Sequence, residues 1–255
     1  MLEAALRRDR AVAGAGLAVL VVLAWIYVAR MAAAPGDAGT AMAMPGMDRS
    51  TAPGLAWLAG MWAVMMVAMM IPSAAPTILL FAGLSRRRRL QGIPAVPTAV
   101  FTLGYLLVWG GYAAIAALAQ WQLHRLAFLS PSMASATPFL AGGLLVAAGV
   151  YQWLPAKGAC LSHCRSPLGF FSNEWREGMV GALLMGIRHG SYCVGCCWLL
   201  MALLFVAGVM NLLWVAVIAA FVLAEKLMPW GDRLGRAAGL GLILWGAWVV
   251  VTASG

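Results

Sequence analysis

The sequence predicts an all-α fold: a polytopic bundle of about seven transmembrane helices with a cytoplasmic N-terminus. Three observations predict it. Of 255 residues, 64% are hydrophobic and only 10% charged, with a mean hydropathy of +0.90, whereas a soluble domain is about half apolar and a quarter charged. Several apolar runs reach the roughly 20 residues that cross about 30 Å of hydrocarbon. The basic residues fall on alternate connections. Arg7, Arg8 and Arg10 precede the first span and Arg86 to Arg89 follow the second. Lys157, Arg165, Arg176 and Arg188 follow the fourth, and Lys226, Arg233 and Arg236 surround the last connection. Only Arg30, Arg49 and Arg125 are left for the opposite side. This is the positive-inside asymmetry. It assigns the net charge of +9 to topology and excludes a nucleic-acid partner.

Spans are expected at 11–29, 55–84, 96–119, 138–155, 191–209, 212–228 and 237–253, in one integral membrane domain covering 1–255. Arg7–Arg10, the apolar run and Ala32-Ala33-Ala34 after it imitate the three parts of a signal peptide, on a segment whose residues 1–30 are expected to form the anchor helix. That run exceeds the usual stretch of about 7–15 residues, so an uncleaved anchor helix is preferred. The external loop 31–54 contains AMAMPGMDRS, with Met42, Met44 and Met47. Thioethers select Cu(I), and a polar loop has no packing use for three methionines.

The second span contains MWAVMMVAMMIPSAAP. Met61, Met65 and Met69 lie at i, i+4 and i+8, with Met66 and Met70 beside them on one helical face. Such a stripe is by default packing, since methionine fills irregular cores; the alternative is a relay for a soft ion. Pro72 and Pro76 each remove a backbone donor and should kink the helix. The freed carbonyls then need partners from protein or a polar cavity. The third and fourth spans are ordinary, and His124 beside Trp121 and Arg125 reads as an interfacial histidine.

KGACLSHCRSP follows the fourth span, placing Cys160, His163 and Cys164 in a spacing that one turn can gather around a metal. The order is not the C-x-x-C-H of covalent haem attachment. Residues 168–178 read as an interfacial segment, with Phe170, Phe171 and Trp175 facing lipid. In RHGSYCVGCCWLLM, His189, Cys193 and Cys197 follow at i, i+4 and i+8, and Cys196 falls in the same arc. Met185 and Met201 extend that row. Gly186, Gly190 and Gly195 permit close approach of another helix. All five cysteines thus lie in two clusters, each with a histidine. The simple alternative is cysteine as a small membrane hydrophobe. GVMN at 208–211 should turn the chain, with Asn211 satisfying local backbone groups. Glu225 and Lys226 end the sixth span. Glu225 reads as a ligand, a proton acceptor, or a structural partner of Arg188 or Lys226, and Lys226 as a snorkelling residue.

MWAVMMVAMMIPSAAP, CLSHCRSP, GIRHGSYCVGCCWLLM, and GVMNLLW followed by EKLMPWG resemble, in order, a bacterial family of predicted metal-binding integral membrane proteins of unknown function. The likeness covers most of residues 55–231. It implies metal binding, a multi-pass position in the bacterial inner membrane, and a site drawn from Cys160, Cys164, His189, Cys193, Cys196, Cys197 and Glu225. His163 enters on spacing alone, and the loop methionines lie outside the likeness.

The leading functional expectation is handling of Cu(I), by uptake, relay or delivery to a metal-receiving or membrane-complex partner, without an enzymatic reaction. Thiolate with thioether favours Cu(I), whereas Cys/His sets alone suit Zn(II) equally well. A zinc-stabilised scaffold or assembly factor is therefore one alternative. The other is a thiol–disulfide oxidoreductase using Cys193 and Cys196, disfavoured by the reducing cytosol expected on that side.

Overall fold

A computed structural model describes residues 2–33, 52–94, 96–126 and 137–254. Met42, Met44 and Met47 lie outside the described residues. The elements, all helical, are α1 (Leu2–Ala32), α2 (Ala52–Leu90), α3 (Thr98–Arg125), α4 (Pro138–Tyr151), α5 (Pro155–Arg165), α6 (Pro167–Glu174), α7 (Gly178–Ala202), α8 (Leu204–Ala207), α9 (Leu212–Leu227) and α10 (Gly231–Ser254). Among the described residues there is no strand.

The stretches Ala11–Ala32, Gly54–Leu90, Thr98–Arg125, Gly178–Ala207 and Gly231–Ser254 are long and apolar enough to cross a membrane. A sixth arises if α4 and α5, bent by 65° at their junction, form one broken span. This is fewer than the seven expected. α9 has only 16 residues, short of the roughly 20 that a full crossing takes. The fifth apolar helix also starts at Gly178 rather than near 191. His189 therefore lies well inside it, because MVGALLMGI is itself apolar and helix-compatible.

Local sequence explains several element ends. α4, α5 and α6 each begin on a proline, whose missing N–H costs nothing in a first turn. Asn211 caps α9, its side chain accepting from Trp214 N at 3.4 Å, as expected of GVMN. α2 runs unbroken through Pro72 and Pro76. Pro72 cannot donate to the Ala68 carbonyl one turn back. Trp25 Nε1 of α1 donates to that carbonyl instead, at 3.1 Å. The requirement that freed carbonyls find protein partners is met here, and it ties α1 to α2.

Glycines set how closely the helices approach. A Cβ on Gly186 of α7 would run into the Phe101 carbonyl of α3, and one on Gly104 of α3 into the Leu183 carbonyl of α7. Small residues at a crossing let backbones meet in this way. The short helices α5 and α6 fold back beneath this pair, α5 packing on α7 and α6 against α2. Phe170 and Phe171 are consequently not lipid-facing as expected. They are 2% and 4% exposed, in an aromatic cluster with Phe81, Phe101 and His189. α6 turns this face of the segment inward while Leu168, on its other face, stays exposed. Ion pairs Arg88–Glu177, Arg165–Asp232 and Arg188–Glu174 join the connections around these short helices.

Candidate metal centre

α7 presents His189, Cys193, Cys196 and Cys197 to the interior, each 2% exposed or less. The reason lies in the sequence: this arc carries no large side chain except His189, and α3 closes over it at the Gly104–Gly186 crossing. α5 approaches where α7 has Gly195. A Cβ there would stand 2.7 Å from Cys160 Sγ. Further along α5, the buried Cys164 side chain interacts with those of Cys193 and Cys196. The two cysteine clusters, separated by some thirty residues of chain, therefore meet.

Three further helices complete the surroundings. Met70 Sδ of α2 lies 3.9 Å from Cys197 Sγ. Tyr105 of α3 places its hydroxyl 3.0 Å from Cys193 Sγ and 3.1 Å from the Met70 carbonyl. Lys226 of α9, 5% exposed, donates from Nζ to Cys193 Sγ at 2.9 Å and to Ser73 Oγ at 3.0 Å. Its amine also interacts with Cys164, Cys196 and Cys197. The expected snorkelling is corrected: Lys226 turns inward because sulfur and hydroxyl acceptors lie within its reach. All five cysteines are free.

Among the described residues, no three His, Cys, Asp or Glu side chains stand as found in an arrangement that could hold one ion. Cys196 Sγ and Cys197 Sγ donate back along α7 to the Cys193 carbonyl, at 3.1 and 3.0 Å, a local bond available to small polar side chains in helices. Cys193 Sγ is engaged by Lys226 and Tyr105. The sulfurs are thus held by the protein's own hydrogen bonds.

The remaining expected residues divide. His189 is buried against Phe101, Tyr105 and Phe170, with ring centroids 6.1, 5.8 and 5.3 Å away. Its Nδ1 has no hydrogen-bond partner among the described residues. His163 goes elsewhere: its ring stacks on Tyr192 at 4.1 Å and its Nδ1 lies 2.8 Å from the Ala159 carbonyl. Glu225 pairs with neither Arg188 nor Lys226. It forms a buried ion pair with Lys157, whose amine also donates to Gln152, while Arg188 pairs with Glu174. Met65, Met66, Met69 and Met70 are all buried, and Met70 is the one whose sulfur reaches a cysteine. Met185 accepts from Arg176 N at 3.4 Å.

Sequence reasoning missed the inward Lys226 and the buried Lys157. Both carry a readable signal. Lys226 adjoins an acid inside an apolar run, and Lys157, Leu161 and Cys164 share one helical face. Tyr105 and Ser73 carry none.

Long apolar helices around a buried interior, with four thiols and a thioether in it, define a membrane-type helical bundle furnished with soft donors. Comparison with known families agrees and is more specific. The chain belongs to the PpoB2 family, described as a copper chaperone, whose model matches residues 59–249. No curated protein and no solved structure matches it.

Proposed function

We propose that this protein is a multi-pass membrane copper chaperone that takes Cu(I) as cargo into the sulfur pocket and hands it to a partner. The carrying observation is the meeting of Cys164, Cys193, Cys196 and Cys197 with Met70 Sδ. Family membership supports copper, and soft donors support the Cu(I) state. Loading would turn the Cys196 and Cys197 thiols from the Cys193 carbonyl toward the ion, release their protons, and draw Cys193 away from Lys226. His189 Nδ1 is a nitrogen donor in reserve. Cys160, beside Gly195 and less buried than the others, is placed to pass cargo between pocket and surface. His163 and Glu225 are peripheral to capture. The methionine stripe is packing along most of its length and ligand-like at Met70.

In this reading the N-terminus is cytoplasmic in a bacterial inner membrane. α4 and α9 serve as short crossings that restore the seven-span count. Copper analysis of the full chain, purified in detergent without added metal and then loaded with Cu(I), tests the proposal. Near-stoichiometric copper in the wild type, absent in Cys193/Cys196/Cys197→Ser, is expected. Zinc retained through preparation, with unfolding on its removal, would replace the chaperone by a metal-stapled scaffold. An oxidised Cys193–Cys196 pair trapped by alkylation would replace it by thiol exchange.

A further inference from the structure

The sulfur pocket holds a cation of its own, which no carboxylate balances among the described residues. Lys226 is 5% exposed, and its amine donates to Cys193 Sγ at 2.9 Å and to Ser73 Oγ at 3.0 Å. It also interacts with Cys164, Cys196 and Cys197, so one amine serves all four buried thiols. Ser73 Oγ donates onward to the Met70 carbonyl at 2.9 Å, which leaves it an acceptor for the lysine. Glu225, the neighbour in sequence, is itself buried and committed to Lys157. A buried charge compensated by hydrogen bonds alone is costly. An apolar residue, such as Val215, Ile218 and Val222 at other buried positions of α9, would seal this position without that cost.

Bound copper supplies the missing counter-charge. A thiol gives up its proton when it takes a metal, and in the copper reading Cys196 and Cys197 do so. Cu(I) between two thiolates carries one net negative charge, and the Met70 thioether adds none. The lysine ammonium brings the buried total to zero. A divalent soft ion between the same two thiolates is already neutral. Beside Lys226 it leaves a net positive charge buried, or it must strip a further buried thiol of its proton. Both are expensive where the dielectric is low.

We propose that Lys226 sets the charge of the ion this pocket accepts, favouring a monovalent soft cation over a divalent one, an inference that rests on the copper reading above. Lys226 is a positioning and specificity residue and not a ligand: its fixed positive charge acts through the sulfurs it faces. Soft donors alone suit monovalent and divalent thiophilic ions together, and the buried lysine separates the two.

Competition between Ag(I) and Cd(II) for the detergent-solubilised full chain tests this, since both ions are thiophilic and they differ in charge. Lys226→Met removes the positive charge. Ser73→Asp keeps the lysine and sets a carboxylate where its amine already reaches, cancelling the charge by a second route should the first variant fail to fold. Lys226→Arg retains a charge that cannot be lost by deprotonation. Expected is a wild-type preference for Ag(I) over Cd(II) that falls about tenfold or more in Lys226→Met and in Ser73→Asp, and that persists in Lys226→Arg. A preference unchanged in the first two variants, with Ag(I) still bound, overturns the proposal and leaves the copper reading intact. Equal weakening of both ions marks a packing role and also overturns it. So does a preference lost in Lys226→Arg as fully as in Lys226→Met, because charge is then not what acts. A wild type that takes up neither Ag(I) nor Cu(I) removes the copper reading, and this inference with it.

Discussion

Two lysines are buried in this protein, and their surroundings differ in kind. Lys157 meets oxygen: the Glu225 carboxylate and the Gln152 amide. Lys226 meets sulfur and a hydroxyl, with Cys193 Sγ at 2.9 Å and Ser73 Oγ at 3.0 Å. A buried charge is tolerated where a counter-charge and hydrogen bonds compensate it. The first lysine has a carboxylate counter-charge and closes a neutral structural unit. The second has no carboxylate partner among the described residues and rests against the softest donors in the molecule. The pairing of a buried cation thus tells the two regions apart. Oxygen around Lys157 marks a joint in the fold, and sulfur around Lys226 is where the proposed copper reading would have another cation received.

The strongest way to break this comparison is to remove each amine in turn. Lys157→Met strands the Glu225 carboxylate and should cost about 3–5 kcal/mol, the usual penalty for breaking a buried pair. Thermal unfolding in detergent reads it, and adding Glu225→Gln should recover most of the loss. Lys226→Met strands no carboxylate and should cost only about 1–2 kcal/mol, the scale of lost hydrogen bonds. Equal losses at the two sites would end the distinction.

Methionine substitutions sharpen the sulfur side. Met70→Leu nearly conserves volume and should change stability by less than about 1.5 kcal/mol. Copper retention against a chelator should nevertheless fall by up to about tenfold, a difference of roughly 1.4 kcal/mol. Met61→Leu should change neither. If Met65/Met69/Met70→Leu left copper transfer in vesicles unaltered, no relay along α2 could be maintained. The smallest effect is expected at His163→Ala. That ring stacks on Tyr192, so copper content should match the wild type and stability should shift by about 0.5 kcal/mol, as for other surface changes.

Much of this architecture was legible in the sequence because hydropathy and charge act through simple geometry. The α7 arc from His189 to Cys197 followed from helical periodicity alone. Gly186 and Gly195 announced close approach and received it from α3 and from Cys160. Periodicity could not show that the chain folds back after Cys164. α6 is only eight residues long, and its phenylalanines looked lipid-facing until Phe81 and Phe101 covered them. Span counting turns on a related point. α9 and α4 are apolar but short, and whether a short helix crosses or is propped by neighbours depends on packing. Lys226 was misread because snorkelling is the default for a lysine near a helix end, and only the converging Cys193 and Ser73 reverse it. His163 was placed by spacing, which fixes distance along the helix but not the side of the short α5 that it occupies.

X-ray absorption at the copper edge of the Cu(I)-loaded full chain tests the central claim most directly. A first shell dominated by sulfur, with at most one nitrogen from His189, and altered in Met70→Leu, is what the arrangement around Cys197 and Cys193 predicts. A shell of mainly nitrogen and oxygen, unchanged by replacing Cys193, Cys196 and Cys197, would contradict it.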